Sequence, residues 1–111
     1  MTEHSSTYMA ERDAEDRVIG TAIQSLREAR NMTLQSLAAN ADFTFDYLSR
    51  IENGNAIISS WAVVRIAREL GIAGVPLVGS PDKEIFAAAE QLRLHFLQSI
   101  QTVTDGDAVS Q

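Results

Sequence analysis

The chain has 111 residues, a net charge of −6 and no cysteine, which excludes a disulfide framework and a thiolate metal site. Its hydrophobic fraction of 45% suits one domain with an ordinary core, and no apolar run is long enough to cross a bilayer. His4 and His95 have no metal-ligand spacing and no N-terminal signal pattern is present, so the expectation is a soluble cytoplasmic protein without metal or cofactor.

The acidity is unevenly placed. Residues 1–17 hold five acids and two bases, and residues 73–111 hold the same numbers. Residues 18–72 hold five acids and five arginines. Overall acidity argues against a nucleic-acid partner, but it belongs to the flanks, and the middle is neutral.

Residues 1–13 are polar without a period and read as a mobile arm. A helix is predicted from about Ala14, with Val18, Ile19, Ala22, Ile23 and Leu26 on one face and Asn31 at its end. Thr33 is the N-cap of a second helix, in which Leu34, Leu37, Ala38 and Ala41 share a face. Asp42-Phe43 forms a corner. Thr44 then caps a third helix that turns Leu48 and Ile51 inward, keeps Tyr47 at the edge, and stops at Asn53-Gly54. A loop over 55–58 leads to Ser59 or Ser60 as the cap of a fourth helix, closed by Gly71, with Val63, Ile66, Ala67 and Leu70 as its buried set.

Residues 73–81 read as a connector, with Ser80 as N-cap and Pro81 at the first position of a fifth helix over 82–103. Its apolar positions Ile85, Ala89, Leu92, Phe96, Ile100 and Val103 step by three and four, close to a heptad. That seam either folds back on the four-helix core or meets a second copy, and the homodimer is the sharper reading. Residues 104–111 read as a disordered tail. No strand pattern appears, so the fold class is all-α.

Within a domain expected over residues 14–72, the register from Gly20 to Ile72 adds a family. Gly20, Ile23, Leu26-Arg27, Thr33-Leu34-Gln35, Leu37-Ala38, the run Tyr47 to Gly54, Ile66-Ala67 and Leu70-Gly71-Ile72 resemble the Cro/C1-type helix-turn-helix domains, the lambda-repressor-like family. The resemblance implies a bundle of four to five helices in which helices 34–40 and 45–53 form the helix-turn-helix. It implies base contacts from Phe45, Asp46, Ser49 and Arg50. It places Gln35, Thr44, Tyr47, Asn53 and Asn55 toward the DNA backbone, and makes Arg27 and Glu52 a structural ion pair. The chain departs from the family at Asp42, where glycine is usual, at Ile58, where proline is usual, and at Leu34, Phe45 and Asp46, where polar or basic residues are common.

Each candidate has a definite chemistry. Arg50 can donate two hydrogen bonds to guanine, Asp46 can only accept, from a cytosine amino group, and Phe45 offers an apolar face to a thymine methyl. Arg27, Arg30, Arg65 or Arg68 would add phosphate contacts without sequence preference. The function that follows is a transcriptional regulator binding double-stranded DNA as a homodimer on a pseudo-palindromic operator, joined through Ile85, Ala89, Leu92, Phe96 and Ile100. The rival is an acidic protein-interaction module of the same fold, antirepressor or antitoxin-like, with Phe45 and Trp61 anchoring a basic partner. A regulatory protein partner is compatible with either. No Ser/His/Asp grouping, Gly-rich phosphate loop or metal cluster is present, so an enzyme is not expected and no catalytic residue is assigned.

Overall fold

The computed structural model describes the backbone of residues 2–109 and the side chains of residues 10–100. Five helices follow one another, α1 (Thr2–Ala29), α2 (Leu34–Asn40), α3 (Phe45–Glu52), α4 (Ser60–Glu69) and α5 (Asp82–Val109), with no strand among the described residues.

Four of the five helices end in the same way. The amide of the second residue past the cap reaches back five residues, as Met32 to Arg27, Phe43 to Ala38, Asn55 to Arg50 and Ile72 to Ala67. The residue between adopts a positive φ, at Asn31, Asp42, Gly54 and Gly71. This is the Schellman ending, which satisfies orphan carbonyls and requires a left-handed residue. Asp42 takes that conformation at φ 64° in place of the family's glycine. Asparagine and aspartate tolerate the region better than other residues with a β-carbon.

Helix starts are equally local. Thr33, Thr44 and Ser59 accept from the amides of Ser36, Tyr47 and Ala62, each three residues on. α5 differs from expectation. Ser80 Oγ donates to the Leu77 carbonyl, and the first helical bond runs from Ile85 N to Pro81 O, so Pro81 stands at the cap.

The core forms where the faces meet. Ile19 and Ile23 of α1, Leu37 of α2, Leu48 and Ile51 of α3, and Val63 and Ile66 of α4 are fully buried. Val18, placed on the same face as Ile19 by spacing, is instead 38% exposed at the edge of the stripe.

Two domain boundaries change. The segment expected as an arm over 1–13 is helical from Thr2, and α5 continues through 104–109 of the expected tail, while residues 110–111 lie outside the described residues. The longer α1 has a consequence for α5. Arg12 pairs with Glu90, Asp16 with Arg93, and Leu26 lies by Ile100, so the two helices run side by side in the same sense. α1 and α4 together cover the seam of α5. Ile85, Ala89, Leu92 and Phe96 are buried within one protomer, and Ile100 is half-buried against the same core. The seam assigned above to dimerisation is therefore an intramolecular one. A heptad spacing specifies a helical neighbour without saying whose it is. The side chain of Val103 lies outside the described residues.

Candidate nucleic-acid interface

α3 is amphipathic in the sense its sequence requires. Leu48, Ile51 and Glu52 point inward, whereas Phe45, Asp46, Arg50 and Asn53 are exposed and Ser49 is half-exposed. At 3.6 residues per turn these five outward positions span about 140° of the helix circumference, a continuous ridge. The ridge is anchored from behind at three points.

The first anchor is Arg27. Its Nε donates to Glu52 Oε2 at 2.8 Å, Nη2 to Glu52 Oε1 at 3.0 Å, and Nη1 to the Met32 carbonyl at 2.7 Å. The expected pair of Arg27 and Glu52 thus ties the end of α1 to the end of α3 through both oxygens of one carboxylate. The hydrogen bonds to Glu52 push the Arg27 guanidinium above its ordinary pKa, against the opposing effect of burial. With its donors engaged inside the protein, Arg27 is no phosphate contact.

The second anchor is Gly20, whose missing side chain lets α1 lie directly on the Ile51 carbonyl. The third is Tyr47. Its ring meets Phe43 edge-on with centroids 5.3 Å apart, and its hydroxyl donates to the Ile57 carbonyl at 3.3 Å. In the free protein the ring and hydroxyl of Tyr47 thus brace the loop after α3.

Thr44 caps α3 by accepting from the Tyr47 amide, which leaves its hydroxyl proton available to a phosphate. Gln35, Asn53 and Asn55 are exposed. Their side chains, like that of Ser49, make no hydrogen bond to the rest of the described protein. Phe45 is 52% exposed at the N-terminal end of the ridge. Among the other candidate arginines, Arg30 donates to Leu26 O and Arg68 to Pro76 O. Arg65 lies 5.9 Å above the rings of both Phe43 and Trp61, so Trp61 carries a cation at the foot of α4.

Asp46 does not stand alone. Its Oδ2 lies 3.2 Å from Arg50 Nε, one turn along the helix. Both acids of α3 are thereby paired within the protein, Asp46 with Arg50 and Glu52 with Arg27.

Sequence reasoning missed a second buried ion pair. Arg93 Nη2 of α5 sits 2.7 Å from Asp16 Oδ1 of α1, with both side chains about 95% buried. The other Asp16 oxygen accepts from the Ile58 amide at 3.4 Å. The distance is that of a strong ion pair, and neither terminal nitrogen of Arg93 makes a hydrogen bond. The signal was in the register: Asp16 lies three residues before Ile19, and Arg93 three before Phe96, on apolar stripes. Through Asp16, α5 and α1 together hold the loop that follows α3.

Comparison with known proteins agrees with this geometry. Residues 18–77 match the family model described as the helix-turn-helix domain. The fold is similar to the crystal structure of the clp gene regulator ClgR from Corynebacterium glutamicum, with a TM-score of 0.51 and 24% identity over 87% of this chain and 96% of that one. No curated protein matches significantly. With more than half its length in the family model and α2 and α3 in helix-turn-helix register, the chain belongs to the helix-turn-helix domain family, as a Cro/C1-type DNA-binding protein.

Proposed function

We propose that the protein is a transcriptional regulator that lays α3 in the major groove and acts as a homodimer on a pseudo-palindromic operator. The observation that carries this reading is the exposed ridge of α3, together with the exposed Gln35, Thr44 and Asn55, whose polar groups have hydrogen-bonding capacity left unused by the protein itself. Phosphate contacts from the flanks would fix register, and the ridge would read base edges. Two copies would present their α3 helices about 34–36 Å apart, one helical turn of DNA. The similarity to a gene regulator supports the same reading.

The pairing of Asp46 and Glu52 weighs against the rival, an acidic module for a basic protein. That partner needs uncompensated negative charge around α3, and both acids of the helix already have arginine partners. Selection from random duplexes at low salt, followed by a salt series on the enriched site, tests the proposal. Affinity should fall linearly on a log–log plot, with a slope near −0.9 per phosphate contacted. Failure to enrich any site would sink the reading.

A further inference from the structure

Arg50 is the one residue on the α3 ridge able to donate two parallel hydrogen bonds to a single base, and its geometry restricts how it does so. The guanidinium carries five N–H donors in a rigid fork. Arg50 Nε lies 3.2 Å from Asp46 Oδ2 in an ion pair, and Nη1 and Nη2 have no partner among the described residues. We propose that Asp46 reads no base itself but is a positioning residue, holding Arg50 Nε so that Nη1 and Nη2 meet O6 and N7 of one guanine end-on. The inference rests on the reading of α3 as the DNA-facing helix and adds the base class and the role of each member of the pair.

Three considerations carry it. Guanine is the base that shows two adjacent acceptors in the major groove, matching the two terminal nitrogens. Adenine shows an acceptor beside a donor and cannot satisfy both. Next, a lone carboxylate on the ridge would be repelled by the phosphates lining the groove, whereas Asp46 with Arg50 is a neutral unit with its donors directed outward. Finally, the pair is largely solvent-exposed, with side-chain exposures of 81% and 53%, so it adds little to folding. Its effect lies in the rotamer freedom that Arg50 no longer has to lose when it binds.

The experiment begins with selection from random duplexes by the wild-type protein and location of the guanine whose preference Arg50→Ala abolishes. Asp46→Asn and Asp46→Glu are then titrated, at one salt concentration, on the enriched duplex, on the same duplex with that G·C pair changed to A·T, and on an unrelated duplex. Removing the negative charge should tighten Asp46→Asn binding to the unrelated duplex, while its G·C over A·T preference falls by about fivefold. Asp46→Glu, which keeps a carboxylate one turn from Arg50, should retain most of the preference.

If Asp46→Asn strengthens all three duplexes by one factor and leaves the preference intact, Asp46 acts by charge alone and the proposal is wrong. A changed base preference at a different position would mean that Asp46 reads a base, which also overturns it. If the wild-type protein enriches no site, the DNA-reading assignment of α3 falls first and takes this inference with it. An unchanged urea midpoint for both variants, expected from their exposure, separates any of these results from misfolding.

Discussion

Gly20 on α1 and Ile51 on α3 approach so closely that a β-carbon added to Gly20 would overlap the Ile51 carbonyl oxygen. Glycine within a helix costs about 1 kcal/mol relative to alanine. Here it allows two helices to touch backbone to backbone at the end of α3, one residue before Glu52 meets Arg27. The height of the α3 ridge above the core is set by that contact.

Gly20→Ala is therefore expected to destabilise despite its better helix propensity. The obstructing atom belongs to backbone that is itself hydrogen-bonded, so relief requires α1 and α3 to separate. Overpacking of this kind costs about 1–3 kcal/mol. A urea titration should show a lower midpoint with an unchanged slope, and DNA affinity should drop with it. A midpoint at or above wild type would show that the crossing is slack.

Arg27 and Glu52 form a pair whose hydrogen bonds are well made, with Arg27 also serving the Met32 carbonyl. Arg27→Ala strands a buried carboxylate and should cost about 3–5 kcal/mol. Arg27→Lys keeps the charge but loses the two-pronged fork, so it should fall between the two. The sign with pH is definite. The Arg27 pKa is raised on folding, so its contribution is complete at every pH below the ordinary arginine value and is lost only as pH rises through the folded one. An alkaline stability scan from neutrality to just short of that range should show no loss attributable to Arg27.

Asp16 and Arg93 make a contrasting case, because they are ion-paired at 2.7 Å while neither terminal nitrogen of Arg93 makes a hydrogen bond. Removing one partner, as in Asp16→Asn, leaves a buried guanidinium uncompensated and should cost about 3–5 kcal/mol. Replacing both, with Asp16→Leu and Arg93→Met, removes two poorly satisfied charges together and should be neutral or stabilising. The same double exchange at Arg27 and Glu52 should be destabilising, since three sound hydrogen bonds are lost there. Parallel urea titrations of the two double variants decide the matter, and equal outcomes would refute the distinction.

What the sequence made legible was governed by local rules. Asn31, Asp42, Gly54 and Gly71 mark helix ends because few residues adopt a positive φ, and Thr33, Thr44 and Ser59 mark starts through hydroxyls that accept from an amide three residues on. The inward and outward faces of α3 followed from its period. Illegible were the features that depend on distant neighbours. Arg12 and Asp16 looked like an arm and a helix start, yet they lie against Glu90 and Arg93 of α5. The Tyr47 hydroxyl points to Ile57 because the loop after α3 folds back over the ring, a path that no spacing encodes.

The last prediction concerns how two copies would meet. With Ile85, Ala89, Leu92 and Phe96 buried inside the protomer, the large apolar side chains that α5 leaves exposed among the described residues are Phe86, at 51%, and Leu94, at 49%. They lie eight residues apart, on one side of the helix. If this stripe joins two copies, Phe86→Glu and Leu94→Glu should shift the protein from dimer to monomer in sedimentation while leaving its helical content intact. Each should also weaken binding to a two-half-site operator more than to a single half-site, because only the former gains from linkage. Leu92→Ala, by contrast, removes a buried side chain and should cost about 2–5 kcal/mol of stability. A dimer that survives both charged substitutions would place the interface away from α5.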